Sequence, residues 1–186
     1  MTSRPSKKYQ TDGGASVGNV AALLGTLALV DREQVRTAFF DAFAFNVLVG
    51  NTDAHAKNYS VLLRGPRVAL APLYDAASSA PYVKTGEAVR SSMKVGRAWQ
   101  VRDVTAEDWV GVATALAAPR ELALSRVEHL RTGLPDAVKQ AADQAPAPAT
   151  PRLSHETRDV LRQTHRVMTS RHDPVRARCC PGLGLS

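Results

Sequence analysis

The stretch Gly50-Asn51-Thr52-Asp53-Ala54-His55-Ala56-Lys57-Asn58 separates two patterns of different period. Before it, Val35 to Val49 carries Phe39, Phe40, Phe43, Phe45, Val47 and Leu48 with almost no polar face, which predicts a helix enclosed by protein and ending at Gly50. After it, Tyr59 to Leu63 and Val68 to Leu70 are short β-prone runs around Arg64-Gly65-Pro66-Arg67, which predicts a hairpin. The polar stretch is therefore a loop between a core helix and a hairpin. A hairpin returns its exit to its entrance, so Asp75 of Leu73-Tyr74-Asp75, 22 residues beyond Asp53, is expected back beside that loop.

Further upstream, Val17, Val20, Leu24 and Leu27 recur at steps of three and four, an amphipathic helix after Asp12-Gly13-Gly14. Asp31, with Gln34 in capping-box position, is the expected N-cap of the enclosed helix. Downstream, Thr105 caps a helix with Trp109, Val112, Ala113 and Leu116 on one face, stopped by Pro119. Residues 120–143 read as helix again, with Pro135 forcing a kink or a break. The organisation expected is a flexible segment over 1–11, a main domain over 12–143, a Pro/Ala linker over 144–153, a helix over 154–171 and a disordered tail over 172–186. The fold class is mostly α, with a small β-hairpin at the polar loop.

A chain of 186 residues makes one ordinary domain, and 44% hydrophobic with 22% charged residues is a globular composition. The net charge of +7 sits at the ends: residues 1–8 carry three basic residues and no acid, and 152–178 carry seven arginines against three acids. The middle is formally neutral, which argues against direct nucleic-acid binding. No run of 18 apolar residues exists to span a membrane, and MTSRPSKKYQ lacks the apolar stretch of a secretory signal, so a cytoplasmic protein is expected. Adjacent Cys179 and Cys180 fit neither a CxxC site nor a disulfide framework. The sequon Asn58-Tyr59-Ser60 is coincidental in a cytosolic protein.

Phosphoryl transfer from ATP needs a carboxylate near the attacking hydroxyl and oxygen ligands that hold Mg²⁺ on the phosphates. Asp53 with Asn58 five residues later gives one of each from a single loop, the D-x-x-x-x-N spacing of protein-kinase catalytic loops, and Asp75 stands where a kinase has its metal aspartate. The string N-T-D-A-H-A-K-N over Asn51–Asn58, with the later L-A-P-L-Y-D, resembles the signature of HipA-type serine/threonine kinases, the toxins of bacterial HipBA toxin–antitoxin pairs. The likeness extends to Lys8-Tyr9 and Asp12-Gly13-Gly14, and to Ser92-Met93-Lys94-Val95-Gly96 and Trp109. The resemblance implies a helical kinase C-lobe using ATP and Mg²⁺, with Asp53 the catalytic aspartate and Asn58 and Asp75 the Mg²⁺ ligands. His55 would brace the loop and Lys57 neutralise phosphate charge. Tyr74-Asp75-Ala76 departs from D-F-G, so a mobile Phe switch is not expected.

Before Asp53 the only lysines are Lys7 and Lys8, and no glycine-rich phosphate loop occurs, so a nucleotide-gripping N-lobe is expected elsewhere, upstream or as a separately encoded protein. Alone, the chain should bind ATP weakly and transfer little phosphate. The resemblance further implies a small DNA-binding antitoxin of HipB type as partner and a protein substrate in translation, such as an aminoacyl-tRNA synthetase. The alternative is a catalytically inactive antitoxin-binding module derived from a kinase C-lobe. Asp53 alone could be a plain turn residue, or with His55 part of a transition-metal site. Tyr9, Trp99, Trp109 and the phenylalanines read as packing, and by analogy Ser92 and Met93 could approach a substrate groove.

Overall fold

The computed structural model of the chain describes residues 7–79, 82–83 and 87–144. The first six residues, the linker from residue 145, the helix expected over 154–171 and the tail with Cys179 and Cys180 lie outside them.

Ser16 starts the first helix, α1 (Val17–Gly25), through a reciprocal pair: its hydroxyl accepts from the Asn19 N–H at 3.2 Å, and the Asn19 side chain accepts from the Ser16 N–H at 2.9 Å. The central helix, α2 (Leu29–Leu48), buries Val35, Phe39, Phe40, Phe43, Ala44 and Val47, and Gly50 beyond it adopts a φ of 71° that turns the chain away. Asp31 does not cap this helix. It lies in the first turn, buried, where its carboxylate accepts from the Arg67 guanidinium and, at 2.9 Å, from the Val68 N–H. Asp31 thus fastens a hairpin to α2 instead of starting the helix.

That hairpin pairs β1 (Val61–Arg64) with β2 (Arg67–Leu70), from Val61 opposite Leu70 to Arg64 opposite Arg67, as predicted, with Gly65 at a φ of 56° in the turn. A second antiparallel hairpin, β3 (Arg90–Val95) with β4 (Ala98–Gln100), was not expected. The fold is therefore mixed among the described residues, four α-helices and two separate hairpins, where one hairpin was anticipated. Ser91-Ser92-Met93-Lys94 lacks the β-branched alternation that marks a strand. Tertiary packing makes it one: Ser91, Ser92, Met93 and Val95 are buried.

The cap predicted at Thr105 forms, as a capping box with Asp108, opening α3 (Ala106–Ala115), whose Trp109, Val112 and Ala113 face the core. The helix closes at Leu116, three residues before Pro119. The last described helix, α4 (Arg120–Gln144), continues through Pro135, so it does not break where the sequence predicts a kink or a break. Around α2 the core joins Leu24, Met93, Val95, Trp109, Leu116 and Val127, with Trp109 edge-on to Phe40 and Phe43 at 6.0 and 6.2 Å between ring centres. Phe39, Phe40 and Phe43 are essentially excluded from water, about 2 kcal/mol of transfer free energy each. Met93, fully buried in this core, cannot line a substrate groove, and Ser92 is buried beside it. No described helix is long and apolar enough to cross a membrane.

Candidate active site

The loop Gly50–Asn58 hangs from the end of α2 on a ladder of side-chain amides. Asn46, on the last turn of α2, donates to the Ala42 carbonyl at 3.0 Å and to the Tyr59 hydroxyl oxygen at 3.1 Å, and its oxygen accepts from Asn51 at 2.8 Å. Asn51 also donates to the main-chain carbonyl of Asp75 at 3.1 Å and accepts from the Asp53 N–H at 3.0 Å. One amide therefore fixes both aspartates. Tyr59 lies edge-on to Phe39 at 4.9 Å, tying the ladder into the core, and burial pushes its hydroxyl well above the ordinary tyrosine range although the Asn46 amide works the other way.

Asn58, in the 3₁₀ turn Ala56–Asn58, joins the two aspartates directly. Its amide donates to the Asp53 carbonyl at 3.1 Å and to the Asp75 carboxylate at 3.2 Å. Asp53, Asn58 and Asp75, predicted as one site, are brought together. Asp75 does so at a backbone cost: its φ is 56°, a left-handed conformation that Asp tolerates better than most residues. The chain beyond Asp75 folds back on the loop, Ser78 donating to the Val49 carbonyl at 2.6 Å and the Ser79 N–H to the Gly50 carbonyl at 3.0 Å.

His55 is buried, its N–H donating to the Asp53 carbonyl at 2.7 Å and its carbonyl accepting from the Asn58 N–H at 2.9 Å. These bonds close the bend, and the imidazole packs edge-on against Tyr9 at 6.0 Å. Lys57 has an exposed side chain, and its carbonyl accepts from the Tyr74 hydroxyl at 3.0 Å. Among the described residues no three His, Cys, Asp or Glu side chains cluster as metal ligands, so a transition-metal site at Asp53 and His55 finds no third ligand there.

Two residues without an expected catalytic role, Lys8 of the family likeness and Tyr9, which reads as packing, touch the centre of the site. The Tyr9 hydroxyl donates to one Asp53 oxygen at 2.7 Å and the Lys8 ammonium to the other at 2.8 Å. Lys8 and Tyr9, which fall in the segment expected over 1–11, are thus seated on the site. Burial alone would raise the Asp53 carboxyl, but these two hydrogen bonds and the Lys8 charge outweigh it and hold the group below its ordinary value. Asp53 stays ionised at neutral pH, a proton acceptor with its side chain 42% exposed.

The model of the HipA-like C-terminal domain family matches residues 1–138. The chain belongs to this family. It is 29% identical over 141 residues to a Sinorhizobium fredii (strain NBRC 101917 / NGR234) protein named "Putative kinase Y4mE", a match covering 75% of this chain and 32% of that one. It also superposes on a chain of the Shewanella oneidensis MR-1 toxin–antitoxin system HipA, HipB and its operator DNA complex, with a TM-score of 0.74 and 20% identity over 88% of this chain and 40% of the other. At that identity the likeness shows the fold. This HipA-like domain spans about a third of the length of the curated relative.

Asn58 and Asp75 offer hard oxygen donors of the kind Mg²⁺ takes. Bonds of about 2.1 Å at right angles leave neighbouring Mg²⁺ ligands roughly 3 Å apart. The Asn58 amide lies 3.2 Å from the Asp75 carboxylate, and turning that amide over puts its oxygen where the nitrogen stands. The residues fit the ion.

Proposed function

We propose that this HipA-like domain is the catalytic lobe of a protein serine/threonine kinase that transfers phosphate from Mg·ATP, and that it acts as the toxin of a toxin–antitoxin pair. The observation that carries this reading is the Asn58 amide bonded at once to Asp53 and to Asp75. The amide meets the Asp53 main-chain carbonyl and the Asp75 carboxylate, so the loop and the far end of the hairpin are joined at one side chain.

Mg²⁺, when bound, would neutralise charge on the ATP phosphates. Asn58 and Asp75 would hold it, and Asn51 would keep Asp75 in register with the loop. Asp53, ionised and open to solvent, would orient the attacking hydroxyl and accept its proton. His55 would keep the bend closed, so that Asp53 and Asn58 stay at a fixed distance. Lys57 would contribute positive charge near the phosphates. The remainder of the nucleotide site would come from sequence corresponding to the rest of the longer relatives, in the same or another polypeptide.

The structural neighbour is a complex of HipA with HipB and operator DNA, which supports a DNA-binding antitoxin of HipB type as partner. The resemblance of the Asn51–Asn58 string points to a substrate in the translation machinery, such as an aminoacyl-tRNA synthetase. The test is serine/threonine labelling from ATP by the chain mixed with the N-terminal part of a HipA-like kinase. The parent should label and Asp53→Ala should be slower by about a thousandfold. Equal labelling by both would remove the catalytic reading and leave an antitoxin-binding module.

A further inference from the structure

A tight turn presents Lys8 and Tyr9 to the site, and its construction explains the glycines that follow. The N–H groups of Asp12 and Gly14 both donate to the Tyr9 carbonyl, at 3.0 and 2.8 Å, around the 3₁₀ turn Gln10–Asp12. Gly13 adopts a φ of 84°, and a Cβ on Gly14 would stand 2.7 Å from the Tyr9 carbonyl and 2.8 Å from that of Lys8. Gln10 ties the turn to the body of the domain by accepting the Lys94 N–H at 2.8 Å. The chain is thus folded tightly to hold two side chains against one carboxylate.

Stability does not account for such a device. The Lys8 and Asp53 side chains are 45% and 42% exposed, and ion pairs this open to water add little to folding. What the arrangement does is place a cation on the carboxylate that receives the hydroxyl proton. An ammonium has three N–H donors, and the hydrogen bond to Asp53 uses one.

We propose that Lys8 is a phosphate-contacting catalytic residue of this site, donating to the transferred phosphoryl group of a nucleoside triphosphate while Tyr9 positions Asp53. The proposal rests on the kinase reading above. In the step it serves, the acceptor oxygen forms a bond to the γ-phosphorus as the bond from that phosphorus to the bridging oxygen breaks. The bonding pair leaves with the nucleoside diphosphate, and the hydroxyl proton passes to the Asp53 oxygens. Lys8, bonded to Asp53 on one side and to a phosphoryl oxygen on the other, keeps donor and acceptor in line and offsets the negative charge between them.

The test is titration of the full chain, mixed with the N-terminal part of a HipA-like kinase, with Mg·ATP, and separately with Mg²⁺ alone, followed by NMR at the Asn58 side-chain amide, with the Trp109 indole signal reporting an intact fold. Lys8→Met should weaken Mg·ATP binding about tenfold, the loss of one charge-assisted hydrogen bond. It should leave binding of Mg²⁺ alone no weaker. Lys8→Arg should recover most of the affinity, and the Asp53 carboxyl, followed by ¹³C, should titrate higher in Lys8→Met than in the parent. Tyr9→Phe should change Mg·ATP affinity little. Unchanged or tighter Mg·ATP binding by Lys8→Met, with the parent binding normally, would overturn the role of Lys8 and leave the kinase reading standing. A parent whose Asn58 signal ignores both Mg²⁺ and Mg·ATP would overturn the kinase reading itself, and Lys8 with it.

Discussion

Asn51 holds Asp75 by its main-chain carbonyl, at 3.1 Å, and leaves the Asp75 carboxylate to Asn58. The same amide nitrogen donates to Asn46 at 2.8 Å, so the end of α2 and the far end of the hairpin share one buried side chain. Asn51→Ala would strand the Asn46 oxygen and release the Asp75 carbonyl and the Asp53 N–H. The expected cost is about 3 kcal/mol of unfolding free energy, read by urea denaturation, with loss of Mg·ATP binding. Asn51→Asp should fail similarly, because a carboxylate cannot donate to the Asn46 oxygen or the Asp75 carbonyl.

The Asp31 clasp predicts a pH dependence. Its carboxyl is held below the ordinary value, first by the Val68 N–H and then by Arg67. A carboxylate of lowered folded-state pKa contributes stability that is fully present above its unfolded value of about 4 and is lost as pH falls through the folded value. The parent should therefore lose thermal stability on acidification below about pH 4 by a term absent from Asp31→Asn. At pH 7 the variant should melt lower, and the two curves should converge in acid. A constant gap across this range would remove the clasp.

Gly96 is the closest approach between the second hairpin and α3. Its φ is 56°, and a Cβ there would stand 2.6 Å from the Asp108 Cα. Gly96→Ala combines left-handed strain with overpacking against backbone, a loss of about 3 kcal/mol or more in chemical denaturation. Asp108 meanwhile serves both elements, accepting from the Thr105 hydroxyl at 2.7 Å and the Arg97 N–H at 2.9 Å.

Asp75 separates stability from function. Asn shares its tolerance of positive φ, so Asp75→Asn should fold within about 0.5 kcal/mol of the parent while losing Mg²⁺-dependent ATP binding. Asp75→Val, β-branched at the same φ of 56°, should cost about 2 kcal/mol more. Paired melting and binding measurements on the two variants check this.

The core helix, the first hairpin and the Asp53–Asn58–Asp75 grouping were legible because each rests on local pattern: an unbroken apolar run, a Gly-Pro turn, and a return of chain to its origin. What was not legible rests on contacts between distant residues. Asp31 has the residue type and spacing of an N-cap, yet its partners lie 36 and 37 residues away, where no local rule reaches. The β3 strand carries serines and a lysine, and becomes a strand because Met93 and Val95 are buried in the core beside α1 and α3. Pro135 sits within a helix whose other bonds hold it. Lys8 and Tyr9 precede Asp53 by 45 and 44 residues, and their likeness to the family was visible without the contact that gives it meaning.

The most direct measurement is anomalous diffraction from crystals of the chain with the N-terminal part of a HipA-like kinase, grown with Mn²⁺ and a non-hydrolysable ATP analogue. The account predicts a Mn²⁺ peak about 2 Å from both the Asn58 amide oxygen and an Asp75 carboxylate oxygen, with a phosphate oxygen completing the sphere. A metal and nucleotide bound elsewhere, with the Asn58 amide still donating to the Asp75 carboxylate, would contradict it.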